Sequence, residues 1–306
     1  MRKSFKMMAA AVMVLATAMV AMVLTSQNSA ADTGSADSGS ISWIMVSSAL
    51  VFAMVPGLAF FYGGMLRRQS MSSMIAQTLA AISIMSISWI AVGYSLAFGS
   101  DGVIIGNLQH LFFGGLTEEA SGGAISTLEF ATFQMMFAIV TAALVLGACA
   151  ERIRFNAIVW FLIIWSVLVY APMAHWVWGG GWFDQFLTVL DFAGGTVVHI
   201  CAGVTGLALC IFVGPRLSGT RKACAHSIPF AFLGAMLLWI GWFGFNGGSS
   251  ALADGTAVHA FFTTQAAGAC GMAAWAIVQY IKVGRVGVLG LIAGGISGLV
   301  AITPGA

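Results

Sequence analysis

Residues 191–206 read DFAGGTVVHICAGVTG, from Asp191 to Gly206, and how they are read decides the kind of fold this chain adopts. A carboxylate heads the segment and an imidazole, His199, sits at its middle, yet the continuation to Gly214, LALCIFVG, is apolar. In a soluble protein this is a buried core helix; in lipid it is a span carrying two costly side chains. The rest of the chain decides between them. Of 306 residues, 60% are hydrophobic and 7% charged, with a mean hydropathy of +0.98. A single soluble core cannot hide so much apolar surface, so the chain is read as an all-α polytopic membrane protein.

Apolar runs long enough to cross a bilayer as helices, about 20 residues each, fall near 41–66, 71–98, 127–150, 155–178, 194–213, 228–247 and 256–281. An eighth begins near Val288 and is cut off at Ala306, giving an expectation of about seven full transmembrane helices plus part of an eighth. Ahead of them, Arg2, Lys3 and Lys6 precede an uncharged run from Met7 to Leu24, followed by small residues at 29–31. Residues 1–31 are therefore expected to be a signal peptide, with an uncleaved first helix as the alternative, and 32–306 the membrane domain.

The charges order the spans. Beyond residue 31 the basic residues all lie in alternate connections: Arg67 and Arg68, then Arg152 and Arg154, then Arg216, Arg221 and Lys222, then Lys282 and Arg285. The intervening connections hold Asp101, Glu118, Glu119, Asp184, Asp191 and Asp254, with no Lys or Arg. By the positive-inside rule the mature N-terminus lies outside and the first connection is cytoplasmic, in a cell or inner membrane. A formal charge of +2 without a Lys/Arg cluster excludes a nucleic-acid partner. The five Cys form no CxxC pair, so neither a disulfide framework, a zinc site nor any other metal or cofactor is expected, and those in apolar runs are read as small buried hydrophobes.

An internal echo accompanies this pattern. The first span ends FFYGG (60–64) and the sixth ends GFNGG (244–248), and with five helices between them the two run in opposite directions. An inverted repeat has this form, with the functional path at the seam between its halves. The small-residue strings GACA (147–150), AGVTG (202–206) and AGGISG (293–298) suit close helix packing, where lipid supplies no hydrophobic drive.

Asp191 has two readings, a cap for the unpaired N–H groups of the helix that follows or an outer acidic group that favours a cation nearby. His199 lies eight residues on, about 12 Å deeper at 1.5 Å per residue, close to the middle of a layer about 30 Å thick. An ionisable group there is a functional-site hypothesis by default, against the alternative of a hydrogen-bonded core histidine. The other histidines, His110, His175, His226 and His259, sit in connections or near span ends. Phe133 and Phe137, four apart, share a helix face. Trp178 ends the fourth span and Phe245 with Ser249 closes the sixth; together these side chains suit a cation-π site with a hydroxyl ligand, for a small cation bearing N–H donors. Glu151 to Arg154 reads as an interfacial anchor with a local ion pair.

DFAGGTVVHICAGVTG resembles the signature of the ammonium transporter (Amt/Mep/Rh) family, and FYGGMLRR, YSLAFG, FQMMF, ACAERIRF, AHWVWGGG and IGWFGFNGGS are similar to it in the same order, from about Ile41 to Pro304, with the bacterial branch the nearer. The resemblance implies an eleven-helix protomer of inverted five-helix repeats, assembled as a homotrimer with one pore per subunit. It implies recruitment of ammonium at Phe133, Trp178 and Ser249, a gate at Phe137 and Phe245, loss of the proton on entry, and a pore histidine at His199. It gives Asp191 a structural or deprotonation-assisting role. The partner histidine, the later spans and the cytoplasmic tail on which PII-type signalling proteins act find no match before Ala306, so a fragment or truncated product is expected. Three other readings stand beside transport: an ammonium sensor, a non-conducting truncated form, and an intramembrane protease suggested by Gly295-Ile296-Ser297-Gly298.

Overall fold

The computed structural model describes residues 36–100, 102–120, 123–215 and 225–306. The expected signal peptide, Asp101, and Arg216, Arg221, Lys222 and Cys224 lie outside the described residues. Within them are eight helices long and apolar enough to cross a membrane: α1 Ser38–Met65, α2 Arg68–Phe98, α3 Thr127–Cys149, α4 Phe155–Leu187, α5 Gly195–Val213, α6 Ile228–Gly248, α7 Gly255–Val283 and α8 Val288–Gly305. The eighth is thus long enough to count as a span, where the sequence suggested only part of one.

Polar residues in the connections start several of these helices. Asp37 accepts N–H groups of Gly39 and Ser40 before α1, Ser126 Oγ accepts Glu129 N before α3, Ser227 Oγ accepts Phe230 N before α6, and Asp254 accepts Ala257 N before α7. Each fills an N–H left unpaired at a helix start, which hydrocarbon cannot do. Widened π turns also occur at Trp89–Gly93 in α2, at Ser166–Tyr170 and Phe183–Leu187 in α4, and at Gly195–Ile200 at the head of α5. The first two meet side by side, with Ser88 Oγ and Ser166 Oγ 2.6 Å apart.

At the centre α1 and α6 pack antiparallel through glycines. A Cβ at Gly64 would lie 2.5 Å from Ala231 N, and one at Gly234 2.2 Å from Phe61 N, so only glycine permits this approach. The contacts come in exchanged couples. Gly57 faces Leu238 while Gly241 faces Met54; Gly64 faces Ala231 while Gly248 faces Ser47. These couples interchange at the spacing that superposes FFYGG on GFNGG, so the sequence echo corresponds to a real pseudo-twofold relation between α1 and α6. The small-residue strings also behave as expected: Gly147 abuts the Tyr62 ring, Gly206 abuts Ala148, and Gly298 abuts Gly271.

The connections gather at two ends. At one, Arg67 Nε pairs with Glu151 at 2.9 Å, Arg152 Nη1 donates to Gly214 O, Ser227 N donates to Gly64 O, and His226 Nδ1 contacts Leu66 O. At the other, Asp37 N reaches Ala124 O and Ala253 N reaches Ser40 Oγ. The ion pair expected inside residues 151–154 is not local. Glu151 takes a positive φ of 64° and turns to Arg67 and Ser70 of the first connection, while Arg152 reaches the carbonyls of Ala148 and Gly214. Of the cysteines, Cys149 and Cys201 are buried as expected, Cys210 is half-buried and Cys270 is exposed on the outer face of α7.

Candidate functional site

Asp191 fills the cap position in full. Oδ1 accepts Gly194 N at 2.9 Å and Gly195 N at 2.6 Å, and Oδ2 accepts Thr196 N at 2.7 Å and Val197 N at 3.2 Å. With only 8% of its surface exposed, the carboxylate is committed to the helix start. The chain wraps it by a left-handed turn at Gly194, φ 104°, where a side chain would also strike Trp178 and Val198. Trp178 Nε1 in turn donates to Asp191 O at 2.8 Å, fixing the indole against the head of α5.

The other named residues converge. Phe133, one turn above Phe137 on α3, packs edge-to-face on it with centroids 4.8 Å apart. Phe137 lies 4.3 Å from Phe245 of α6 and 5.9 Å from Trp178 of α4. Phe137 and Phe245 are wholly buried. The tip of Phe133 rests against Gly248, next to Ser249, whose Oγ donates to Phe245 O at 2.8 Å. The serine proton is therefore occupied, and its oxygen is left to accept N–H groups.

Below this closed pair, Phe245 stacks on His199 at 5.7 Å with planes 15° apart, and Trp242 covers the imidazole at 5.3 Å. His199, half-buried, borders a narrow cavity of about 50 Å³ together with Met54, Leu58, Val140, Trp242 and Phe245. Met54 and Leu58 come from the central turns of α1 and Val140 from those of α3, with Trp242 and Phe245 from the last two turns of α6, so the imidazole lies near mid-span, beneath the Phe137–Phe245 pair. It reaches that depth differently from the sequence estimate. α5 begins only at Gly195, recessed from the outer end, and the residues from Asp191 to Gly194 descend as a turn.

Trp242 and Thr303 were not singled out in the sequence. Trp242 lies inside IGWFGFNGGS, three residues before Phe245 and so on the same helix face, a spacing that could have marked it. Thr303 carries no such signal: its hydroxyl meets Trp242 Nε1 at 3.0 Å and His199 Nε2 at 3.3 Å through the tertiary fold alone. Among the described residues no three His, Cys, Asp or Glu side chains gather as metal ligands. Ser297 of the GxSG string is exposed on α8 with its hydroxyl turned to Ala293 O, beside Trp275 and Gln279 in a groove whose described lining holds no histidine.

A chain of membrane-crossing helices around an occluded mid-span cavity, shut by stacked aromatic rings and edged by one imidazole, defines a multi-pass membrane protein of the channel and transporter class. The family model described as the Ammonium Transporter Family matches residues 42–306. The chain is 47% identical over 259 residues to the "Ammonium transporter" of Bacillus subtilis (strain 168), covering 84% of this chain and 64% of that protein. Its fold matches the crystal structure of Candida albicans Mep2 with a TM-score of 0.81 at 36% identity, over 88% of this chain and 61% of that one. It also matches a structure titled "Sensor Amt Protein" with a TM-score of 0.80 at 30% identity, over 87% of this chain and 68% of that one. The chain belongs to the Ammonium Transporter Family and has its all-helical fold. It spans less than two thirds of the length of the Bacillus relative.

Proposed function

We propose that this protein moves ammonium nitrogen across a cell membrane, recruiting ammonium outside and passing it inward as ammonia. The observation that carries the reading is the unbroken run of rings from Phe133 through Phe137 and Phe245 to His199. Ammonium would be held at its outer end by the π faces of Phe133 and Trp178 and by the free lone pairs of Ser249. Such cation-π contacts supply about 0.5–2 kcal/mol, whereas removing an ion from water costs several kcal/mol. The site can therefore gather the cation but cannot carry it, charged, through the Phe137–Phe245 closure. Below that closure only the neutral species is affordable, beside a neutral His199. Asp191 serves this path by holding the head of α5 and the Trp178 indole in place.

Residues 1–31 are proposed as a signal peptide and 32–306 as the transporter domain, in the inner membrane with the mature N-terminus outside. A homotrimer is proposed from the family resemblance, with a PII-type protein as cytoplasmic partner where a tail is present. The reading assigns transport and no covalent chemistry to any side chain.

Uptake of labelled methylammonium by cells lacking their own ammonium transporters tests it. Expression should confer uptake, His199→Ala should abolish it or change its selectivity, and Trp178→Leu should weaken it more at low than at high concentration. Uptake unaffected by both substitutions would overturn the assignment. The likeness to a sensor supports a second reading, ammonium binding reported to a partner; saturable binding with no uptake would favour it.

A further inference from the structure

His175, one turn before Gly179 on α4, is wholly buried, and both of its ring nitrogens meet carbonyl oxygens. Nδ1 lies 2.9 Å from Ala97 O at the end of α2, and Nε2 lies 2.5 Å from Gly102 O in the connection to α3. A carbonyl can only accept, and a neutral imidazole carries one N–H. In either neutral tautomer one of these contacts sets a nitrogen lone pair against an oxygen lone pair. Only a ring protonated at both nitrogens satisfies both.

The two contacts belong to a larger pattern. The chain leaves the helical path at Gly99, so carbonyls in the last turn of α2 take donors from elsewhere: Leu96 O accepts Gly106 N, and Ala97 O accepts the imidazole. In the connection three successive carbonyls, those of Gly102, Val103 and Ile104, accept from His175 Nε2, Trp182 N and Trp176 Nε1. The segment is thus laid on the outer end of α4 by donors that α4 supplies. His175 also lies in the last helical turn before Gly179, so the carbonyl ends of two helices, α2 and its own, favour a cation here. Gly179 leaves the room: a Cβ there would lie 1.9 Å from Ala97 O and 2.7 Å from Nδ1.

We infer that His175 is a positioning residue which, protonated at both nitrogens, clasps the α2–α3 connection to the outer ends of α2 and α4. Of the three donors to that segment it alone can titrate. A ring that gives up one proton keeps Ala97 O or Gly102 O but not both, so docking of the connection is linked to proton binding, complete at lower pH and loosened at higher pH. The titratable side chains on the elements packed around it are Tyr94 of α2, Tyr170 and Asp184 of α4, His199 of α5 and, in the connection, His110. Among the described residues none of these is within hydrogen-bonding distance of the ring, and Asp101, next to Gly102 in the chain, lies outside them. For uptake the inference rests on the transport reading. Trp178 is three residues on, and His175 O accepts Gly179 N and Gly181 N to end the helix just behind it. A loosened clasp therefore shifts the indole from its place at the outer site.

The test combines ¹⁵N-histidine NMR of the protein in lipid bilayers with a nitroxide on Val103→Cys, an exposed position, in a background with the other cysteines replaced. The His175 signals are identified through the His175–Trp176 step, which occurs once in the sequence. While the label is immobile, His175 should show two protonated nitrogens; raising the pH should turn one of them pyridine-type and free the label together. In His175→Phe, which keeps a ring and removes the donors, the label should be mobile at every pH. An immobile label beside a His175 with one bare nitrogen overturns the inference, and so does a label that ignores the change in protonation. Should the phenylalanine variant not fold, the pH series on the wild-type protein decides alone. Methylammonium uptake separates the two levels. His175→Phe should raise KM about fivefold, the factor corresponding to one net hydrogen bond, keep the maximal rate and abolish the pH dependence of KM. A KM unmoved by the substitution overturns the link to Trp178. Absent uptake in every protein, with the label and the ring titrating together, removes the transport reading and leaves the clasp standing.

Discussion

Four backbone N–H groups on one buried carboxylate make Asp191 a larger contributor than an ordinary surface cap. A cap is worth about 0.5–2 kcal/mol, and burial should put Asp191→Ala at the upper end, about 2 kcal/mol. A lowered unfolding temperature in detergent is the expected outcome, with uptake lost because the turn that presents the Asp191 carbonyl to Trp178 is no longer held by the side chain. An unchanged melting temperature would mean the N–H groups find other partners and the residue acts by charge alone. Much of this site was legible in the sequence. Asp191 stands where a cap is required, four residues separate Phe133 from Phe137, and an imidazole in an apolar run is conspicuous. Thr303 was not legible, because its meaning comes from meeting His199 across 104 positions of chain, and periodicity within one helix carries no information about such a meeting. The recessed start of α5 was hidden for a related reason. The rise of 1.5 Å per residue holds only where the chain is helical, and the first residues after Asp191 form a turn around its carboxylate.

Helix positions were recoverable to within a few residues because hydropathy alone fixes which segments fit a bilayer, and the capping residues mark several starts. The π turns at Trp89–Gly93 and Ser166–Tyr170 were not, since no residue type in them dictates a widened turn; they arise where α2 and α4 press together. The α1–α6 seam is the element whose geometry is most exacting. Gly234→Ala would set a methyl 2.2 Å from Phe61 N, against backbone that cannot rotate aside. Overpacking of this kind costs about 1–3 kcal/mol, and the expected result is a lower melting temperature, with Gly255→Ala, where a methyl meets open space, as the matched control. Equal stability of the two variants would show that the helices separate freely at this seam. The link between the first and third connections gives a pH dependence. Burial acts to raise the Glu151 carboxyl, but hydrogen bonds from Ser70 Oγ, the Arg67 side chain and the Arg67 N–H outweigh it, and the group sits below its ordinary value. A carboxyl lowered in the folded state stabilises fully above its unfolded value, about pH 4.3, and loses that contribution as the pH falls through the folded value. Acid unfolding should therefore begin at higher pH in Glu151→Gln when the two are compared at matched temperature, with a shallower slope; superimposable acid transitions would remove the link from the stability of this end.

The distribution of charge across the whole molecule makes its orientation testable. Arg67, Arg152 and the head of α6 are tied together at one end by side-chain and backbone hydrogen bonds, while Asp37 and Ala253 take part in the contacts of the other. The two ends thus differ in charge as well as position: basic connections meet at the first, while the acidic Glu118, Glu119 and Asp254 lie in connections of the second and Asp184 in the last turn of α4. Lys and Arg are retained on the cytoplasmic side during insertion and attracted there by anionic lipid, at about 1 kcal/mol for each residue near the surface. Several such residues on one side, with none opposing, leave little free energy for the inverted arrangement. In that orientation the proposed recruitment aromatics would open to the outside, since Trp178 and Ser249 lie toward the acidic end of α4 and α6, as the proposed inward path requires. A pair of single cysteines checks this in a background with the native cysteines replaced. Leu252→Cys, on the exposed connection between α6 and α7, should react with a membrane-impermeant maleimide in intact cells. Arg285→Cys, exposed between α7 and α8, should react only after the membrane is made permeable. The opposite pattern would place the aromatic site on the cytoplasmic side and turn the proposed path into one of export; reaction of both in intact cells would mean that α7 does not cross.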